Sequence, residues 1–352
     1  MGPAQPNSEL TPNPDLYNVT YVADSYQSMP YRFLGRSGLQ GPAIGLGTWK
    51  FGYPETGDEA RIGPQLAAQI LDRAADLGVM FWDTANRYNA ASGNSERIIG
   101  NWLTAHPDRR RDIVLATKTH GGMDGWTPNH SGLSRLQITE SVKASLARLQ
   151  TSYVDVLWFH RYDDRVPLEE SLETVEDLVS QGLVRYLAVS NFSADQLTEA
   201  LRISDSLSRR CRPIAVQNRF DPLNGESLPG VLDVCVDQGV SFVPYSPLAK
   251  GLLTDRYLDP AKVGPGDRLF DEGVFDGIGQ DQLAAVRRLG ELAGQWQLKI
   301  STLTLAYILT LPAMGTQIPS SSTIAQLEDN AAAAAVTLSE EQLGALREVF
   351  TV

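Results

Sequence analysis

The sequence predicts an α/β fold: a (β/α)8 TIM barrel with an N-terminal β-hairpin and an extra C-terminal helix. Three observations predict it. Short apolar or β-branched runs alternate with longer amphipathic segments along most of the 352 residues. Eight such runs follow one another without a break in rhythm, which favours a closed barrel over an open sheet. Nearly every run ends in a polar or titratable residue, and barrels of this kind carry their chemistry at the C-terminal ends of the strands.

Residues 1–28 are polar, hold Pro3, Pro6, Pro12 and Pro14, and lack the apolar core of a signal peptide. They read as an extended arm ahead of a single domain over 29–352. The arm is expected either as a disordered tail, since termini usually fray, or, through Leu16, Tyr17, Tyr21 and Val22, as lying on a neighbouring subunit in a homo-oligomer. Tyr31 to Leu39, turning through Gly35-Arg36-Ser37-Gly38, reads as a hairpin. Strands are expected at 43–47, 80–83, 113–117, 154–159, 184–189, 214–217, 241–245 and 316–318. Amphipathic helices are expected at 65–77, 96–105, 136–149, 168–181, 193–206, 228–238 and 281–297. Ser193 precedes Gln196 by three, and Ser339 precedes Gln342 by three, in the capping-box pattern of helix starts. Such a barrel takes about 250 residues. The surplus lies in the arm, in the Gly/Asp-rich stretch 254–280 and in a terminal helix at 339–349.

Composition bounds the function. Hydrophobic residues are 42% and charged ones 20% of the chain, ordinary for a globular domain. Thirty Lys and Arg against 42 Asp and Glu give a net charge of −12, which argues against a general nucleic-acid partner. Cys211 and Cys235 are the only cysteines, which fits a reducing, cytoplasmic location. No apolar run approaches the roughly 20 residues of a membrane helix. No metal is expected.

The expected rim collects Asp83, Lys118, His160, Ser190, Asn191, Gln217, Tyr245, Ser246 and the serines after Pro319, with Tyr88 in the loop after the second strand. Singly, each has an ordinary explanation as a cap, a turn former or a solvated side chain. Together they suit proton donation to a carbonyl. A Tyr hydroxyl titrates near 10, and a neighbouring cation makes it a better acid. Lys118 would supply that cation, Asp83 would hold Lys118 protonated, and His160 would hydrogen-bond the substrate oxygen. The same groups run backwards would take a proton from an alcohol.

These residues sit in longer motifs. They include Gly45-Leu46-Gly47-Thr48-Trp49, Phe81-Trp82-Asp83-Thr84-Ala85-Asn86-Arg87-Tyr88 followed by Ser95-Glu96, and Ala116-Thr117-Lys118. Asp155-Val156-Leu157-Trp158-Phe159-His160, Val189-Ser190-Asn191-Phe192-Ser193 and Pro244-Tyr245-Ser246-Pro247-Leu248-Ala249-Lys250-Gly251-Leu252-Leu253-Thr254 complete the set. From about Tyr31 to the C-terminus the chain resembles the aldo-keto reductases, NAD(P)H-dependent oxidoreductases on a (β/α)8 barrel. Within them it is similar to the larger bacterial-type and potassium-channel β-subunit-like branch. The resemblance implies a catalytic tetrad of Asp83, Tyr88, Lys118 and His160, with Tyr88 as general acid/base.

The same resemblance implies cofactor contacts from Gly47, Thr48, Trp49 and Asp83. Ser190, Asn191 and Gln217 would bind the nicotinamide carboxamide, with Tyr245 stacked on its ring. Ser246, Leu248, Lys250 and Gly251 would approach the pyrophosphate. Ser320, Ser322, Gln326 and Asn330 would take the adenosine end, where a helix N-terminus favours anions. The stretch 319–326 holds no Arg or Lys to clasp a 2′-phosphate. NADP(H) is the cofactor that the resemblance implies, and the missing cation makes NAD(H) the alternative.

Trp49, Tyr88, His160 and Trp126 are the expected substrate contacts. Phe51, Tyr53 and Tyr162 would add aromatic wall, and 119–134 would form a lid. A polar, bulky carbonyl or secondary alcohol fits, whether sugar or oxygenated natural product. The expected function is reversible hydride transfer between nicotinamide and such a small molecule. The alternative from another class is a nucleotide-binding barrel that regulates a partner with little turnover. A third is a barrel enzyme acting on a phosphorylated substrate without cofactor.

Overall fold

The computed structural model describes residues 22–123 and 125–350. Most of the arm expected over 1–28 lies outside the described residues, as does Asp124 in the expected lid. Strand β1 (Ser25–Tyr26) pairs antiparallel with β2 (Met29–Phe33), and β2 with β3 (Gln40–Pro42). The hairpin is thus present, with β1 added to its outer edge.

The main sheet follows. β4 (Leu46–Gly47), β5 (Phe81–Asp83), β6 (Val114–Thr119), β7 (Val154–Phe159), β8 (Val184–Ser190) and β9 (Ala215–Asp221) pair in parallel, each with the next. β10 (Gly225–Glu226) turns back antiparallel on β9, and β11 (Ser241–Tyr245) pairs with β9 in parallel. The eighth expected strand, 316–318, makes one isolated parallel bridge, Gln317 with Ile44, and Met314 just before it bridges Phe242. Its length is cut by Ala313, at φ 59, and by Pro319, which has no N–H to donate. The segment still bonds to both outer strands. Gly45 N donates to Gln317 O at 2.7 Å and Phe242 N to Ala313 O at 2.8 Å.

The period of two sorts the strand residues. Phe81, Val114, Ala116, Val156, Trp158, Ala188, Ala215 and Val243 form one apolar cluster, which the hairpin residue Leu34 joins. The alternate residues Leu46, Trp82, Leu115, Leu157, Val189, Val216 and Phe242 belong to a second cluster shared with the helices. Those helices are amphipathic, as in Pro64–Asp76, Leu168–Ser180 and Ala194–Leu207. Both expected capping boxes form, at Ser193 with Gln196 and Ser339 with Gln342. A third cluster joins Gln280–Gln295, Ile300–Thr310 and Glu340–Arg347. Among the described residues no helix is long and apolar enough to cross a membrane.

Candidate active site

Strand parity aims the site. Asp83 continues the face of Phe81, Lys118 that of Ala116 and His160 that of Trp158. Ser190, Gln217 and Tyr245 likewise continue the faces of Ala188, Ala215 and Val243. One apolar cluster therefore has polar residues as its top layer. A cleft of about 870 Å³ opens over it, and Asp83, Tyr88, His160, Gln217 and Tyr245 are in its wall.

Lys118, 1% exposed, lies buried behind Asp83 and Tyr88. Its ammonium has three N–H donors, and three acceptors meet them: Asp83 Oδ2, Thr84 O at 2.9 Å and Tyr88 Oη at 2.8 Å. Burial pushes the Lys118 pKa down and the Asp83 carboxylate opposes that shift. Tyr88 Oη also donates to Asp83 Oδ2 at 3.3 Å. Gln217 Nε2 donates to Asp83 Oδ1 at 2.9 Å. The net effect on Tyr88 differs from the expectation: its pKa is raised well above 10.0, by burial and then by the Asp83 carboxylate. The buried anion lies close enough to offset the Lys118 cation, so the hydroxyl stays protonated at neutral pH.

Tyr88 is held by backbone that L residues rarely adopt. Asn89, Ala90 and Ala91 take φ of 53°, 55° and 59°. Asn89 Nδ2 anchors this turn on Phe51 O at 2.7 Å. The His160 ring stands 6.1 Å from the Tyr88 ring, centre to centre, at 76°. Burial and then the Lys118 cation push the His160 pKa down to about 3, so the imidazole is neutral.

Further buried groups hold Asp83 and the end of β6 from behind. Thr48 Oγ1 donates to Asp83 O at 3.0 Å and lies 2.8 Å from Ser95 Oγ. Glu96, fully buried, accepts from Thr117 Oγ1 and from Arg148 Nε, both at 2.6 Å. Thr117 is the neighbour of Lys118, so this pair braces β6 at its cleft end.

The other strand ends are laced together. Ser190 Oγ donates to Gln217 O at 2.7 Å, Asn191 Nδ2 to His160 O at 2.8 Å, and Tyr245 Oη to Asn191 Oδ1 at 3.0 Å. From there the cleft runs past Ser246, Leu248, Lys250 and Gly251 to Ser320, Ser322, Gln326 and Asn330. Gly47 and Trp49 line it too. Ser322 N bonds Gln326 Oε1 at 2.7 Å at the start of the helix Ile324–Ala332.

Some expectations change. Thr48 is fully buried behind Asp83 and does not face the cleft. Trp126 is 103% exposed and lies outside the cleft wall, because its glycine-rich loop brings nothing against it. Phe51 is 1% exposed, and Tyr53 and Tyr162 pack on the core, so of these expected loop aromatics Trp49 faces the cleft.

The cleft also holds cations that sequence reading missed: Lys50, Arg61, Arg87, Arg219, Arg256 and Arg268. Arg256 pairs with Asp267, while Lys250 at 3.1 Å and Arg268 at 2.8 Å share Glu272. Trp49 lies under Lys50 Nζ, 3.6 Å from the ring centre, and under the Arg268 guanidinium at 5.0 Å. In the sequence these residues look like solvated charges on loops, and Arg256 and Arg268 join the others only where 254–272 folds back to the cleft.

A sequence model described as "Aldo/keto reductase family" matches residues 43–350. The chain belongs to that family. It is therefore an aldo/keto reductase-family oxidoreductase. It is 33% identical over 330 residues to the uncharacterized oxidoreductase YrpG of Bacillus subtilis (strain 168), covering 92% of this chain and 96% of the other. A probable voltage-gated potassium channel subunit beta of Arabidopsis thaliana is 32% identical, over 86% of this chain and 90% of its own. An L-glyceraldehyde 3-phosphate reductase of Escherichia coli (strain K12) is 30% identical, over 87% and 88%.

Proposed function

We propose that this family member catalyses reversible hydride transfer between a nicotinamide cofactor and an aldehyde, ketone or secondary alcohol, with Tyr88 as general acid/base. The observation that carries it is the Lys118 Nζ to Tyr88 Oη hydrogen bond of 2.8 Å at the foot of the cleft. We read the parallel sheet and the segment 313–319 that bonds both its outer strands as a closed (β/α)8 barrel.

The donor set suits a dinucleotide. Amide and hydroxyl groups of Ser190, Asn191 and Gln217 match a carboxamide, and Tyr245 offers a flat face to a flat ring. Lys250, Arg256 and Arg268 bring cations to the cleft, each paired with Asp267 or Glu272, and 319–326 holds none, so the reading takes either NADP(H) or NAD(H). The bound nicotinamide supplies or accepts the hydride.

In the direction of reduction, Tyr88 Oη gives its proton to the carbonyl oxygen. Lys118 stabilises the phenolate left behind, and Asp83 keeps Lys118 charged and aimed. Neutral His160 hydrogen-bonds the same oxygen and orients it. In the direction of oxidation, the phenolate takes the proton back. Titration with NADPH and NADH, followed by an absorbance screen of aldehydes, ketones and alcohols, tests the reading. Turnover supports it; cofactor binding without turnover on any compound favours a regulatory barrel, the reading that the likeness to channel β-subunits keeps open.

A further inference from the structure

Three side chains on the far side of the tetrad have no part in the chemistry above. Arg87 precedes Tyr88 and lies exposed in the cleft wall. His120 follows Thr119 at the tip of β6 and is 3% exposed. Arg161 follows His160 and donates from Nε to the His120 ring at 3.3 Å. They come from the ends of β5, β6 and β7, which are neighbours in the sheet. The groups suited to the dinucleotide come from β8, β9, β11 and the chain beyond 318, on the other arc of the rim.

Among the described residues no carboxylate forms an ion pair with Arg87 or Arg161. Asp163, the acid facing His120, already accepts from Leu133 N at 2.9 Å and from Arg165 N at 3.1 Å. Arg165 Nε adds a third bond to Asp163 at 3.3 Å. His120 is held neutral, its pKa pushed down to about 4 by burial and then by Arg161. Arg87 lies where a Cβ on Gly121 would collide with its Cδ, so that glycine leaves it room to cross the wall. An acidic chain thus keeps two guanidinium groups without an ion pair close enough to His160 to lower its pKa, Arg87 in the cleft wall and Arg161 outside that wall, seated on a buried imidazole.

We propose that Arg87 and Arg161 bind an anionic substituent of the substrate, a carboxylate or phosphate remote from its carbonyl group, with His120 as the support of Arg161. The planar guanidinium fork suits either oxyanion bidentately. The inference rests on the reductase reading, with substrate entering over Tyr88 and His160.

The test compares kcat/KM for matched pairs: 4-carboxybenzaldehyde against benzaldehyde, and erythrose 4-phosphate against erythrose. Native protein is expected to favour the anion of at least one pair by roughly tenfold or more, given the strength of hydrogen bonds to charged groups. Which pair shows the larger ratio separates carboxylate from phosphate. Arg87→Gln and Arg161→Gln are expected to bring the ratio toward one, chiefly through KM, and Arg87→Lys to restore part of it. A structural role for these arginines would lower both members of a pair alike and leave the ratio unchanged. Native protein without anion preference, or variants that keep the native ratio, would overturn the proposal. If no aldehyde turns over, the reductase reading fails by itself, and calorimetry with benzoate and inorganic phosphate decides the anion site. Binding to native protein that Arg87→Gln abolishes supports it; equal binding, or none, overturns it.

Discussion

Lys118 Nζ lies 2.8 Å from Tyr88 Oη and bonds Asp83 as well, so one buried ammonium holds both the Tyr88 hydroxyl and the Asp83 carboxylate. Tyr88→Phe removes the exchangeable proton while keeping the ring. Turnover is expected to fall by about 10²- to 10⁴-fold, the usual share of general acid/base catalysis. Cofactor titration of the same variant should give near-native affinity, because Tyr88 is expected to act on the substrate.

The raised pKa of Tyr88 sets a direction dependence. A hydroxyl held above 10.0 stays protonated through neutral pH. Carbonyl reduction is expected to be nearly flat between about pH 6 and pH 9, and alcohol oxidation to rise with pH across the same range. Initial rates in both directions, in one buffer series, check this.

Two depressed histidines make stability pH-dependent. His160 and His120 have folded pKa values of about 3 and about 4, below the ordinary 6.5. Between those values and 6.5 the unfolded chain binds more protons than the folded one. The stability is therefore fully present above about pH 6.5 and is lost as pH falls toward the folded values. The unfolding temperature should drop between about pH 6.5 and pH 4. His120→Asn should flatten that slope.

Glu96 and Arg148 form an ion pair at 2.6 Å, with side chains 0% and 5% exposed. Arg148→Met leaves the carboxylate buried and unpaired. It is expected to destabilise the fold by about 3–5 kcal/mol, measured by urea unfolding. Because Glu96 also holds Thr117 beside Lys118, kcat of the surviving folded protein should fall as well.

Gly47 marks where the sheet meets the segment carrying Ser320. A Cβ there would lie 2.8 Å from Ile318 O and 3.0 Å from Ser320 Oγ. Gly47→Ala is expected to cost about 1–3 kcal/mol of stability and to weaken cofactor binding. Urea unfolding and fluorescence titration read the two effects.

The period of two made the polar layer of the cleft legible from sequence: once the strands are located, Asp83, Lys118 and His160 must continue one face of the sheet. The helix Ile300–Thr310 was not legible, because Ile300 through Ile308 are all buried and no polar face marks the period. The last sheet segment was legible only as a strand, since its bonding is broken by Pro319 and by Ala313 at positive φ. Trp126 misled because an aromatic in a loop looks the same whether it is covered or bare. The cleft cations were hidden for a related reason: Arg256 and Arg268 acquire meaning only from where 254–272 folds back.

The most direct test mixes the protein with reduced nicotinamide cofactor and a carbonyl panel and follows the loss of nicotinamide absorbance. Native protein is expected to oxidise the cofactor only when a carbonyl is present, and Tyr88→Phe to bind it without oxidising it. Equal cofactor oxidation by native protein and Tyr88→Phe would contradict the role given to Tyr88.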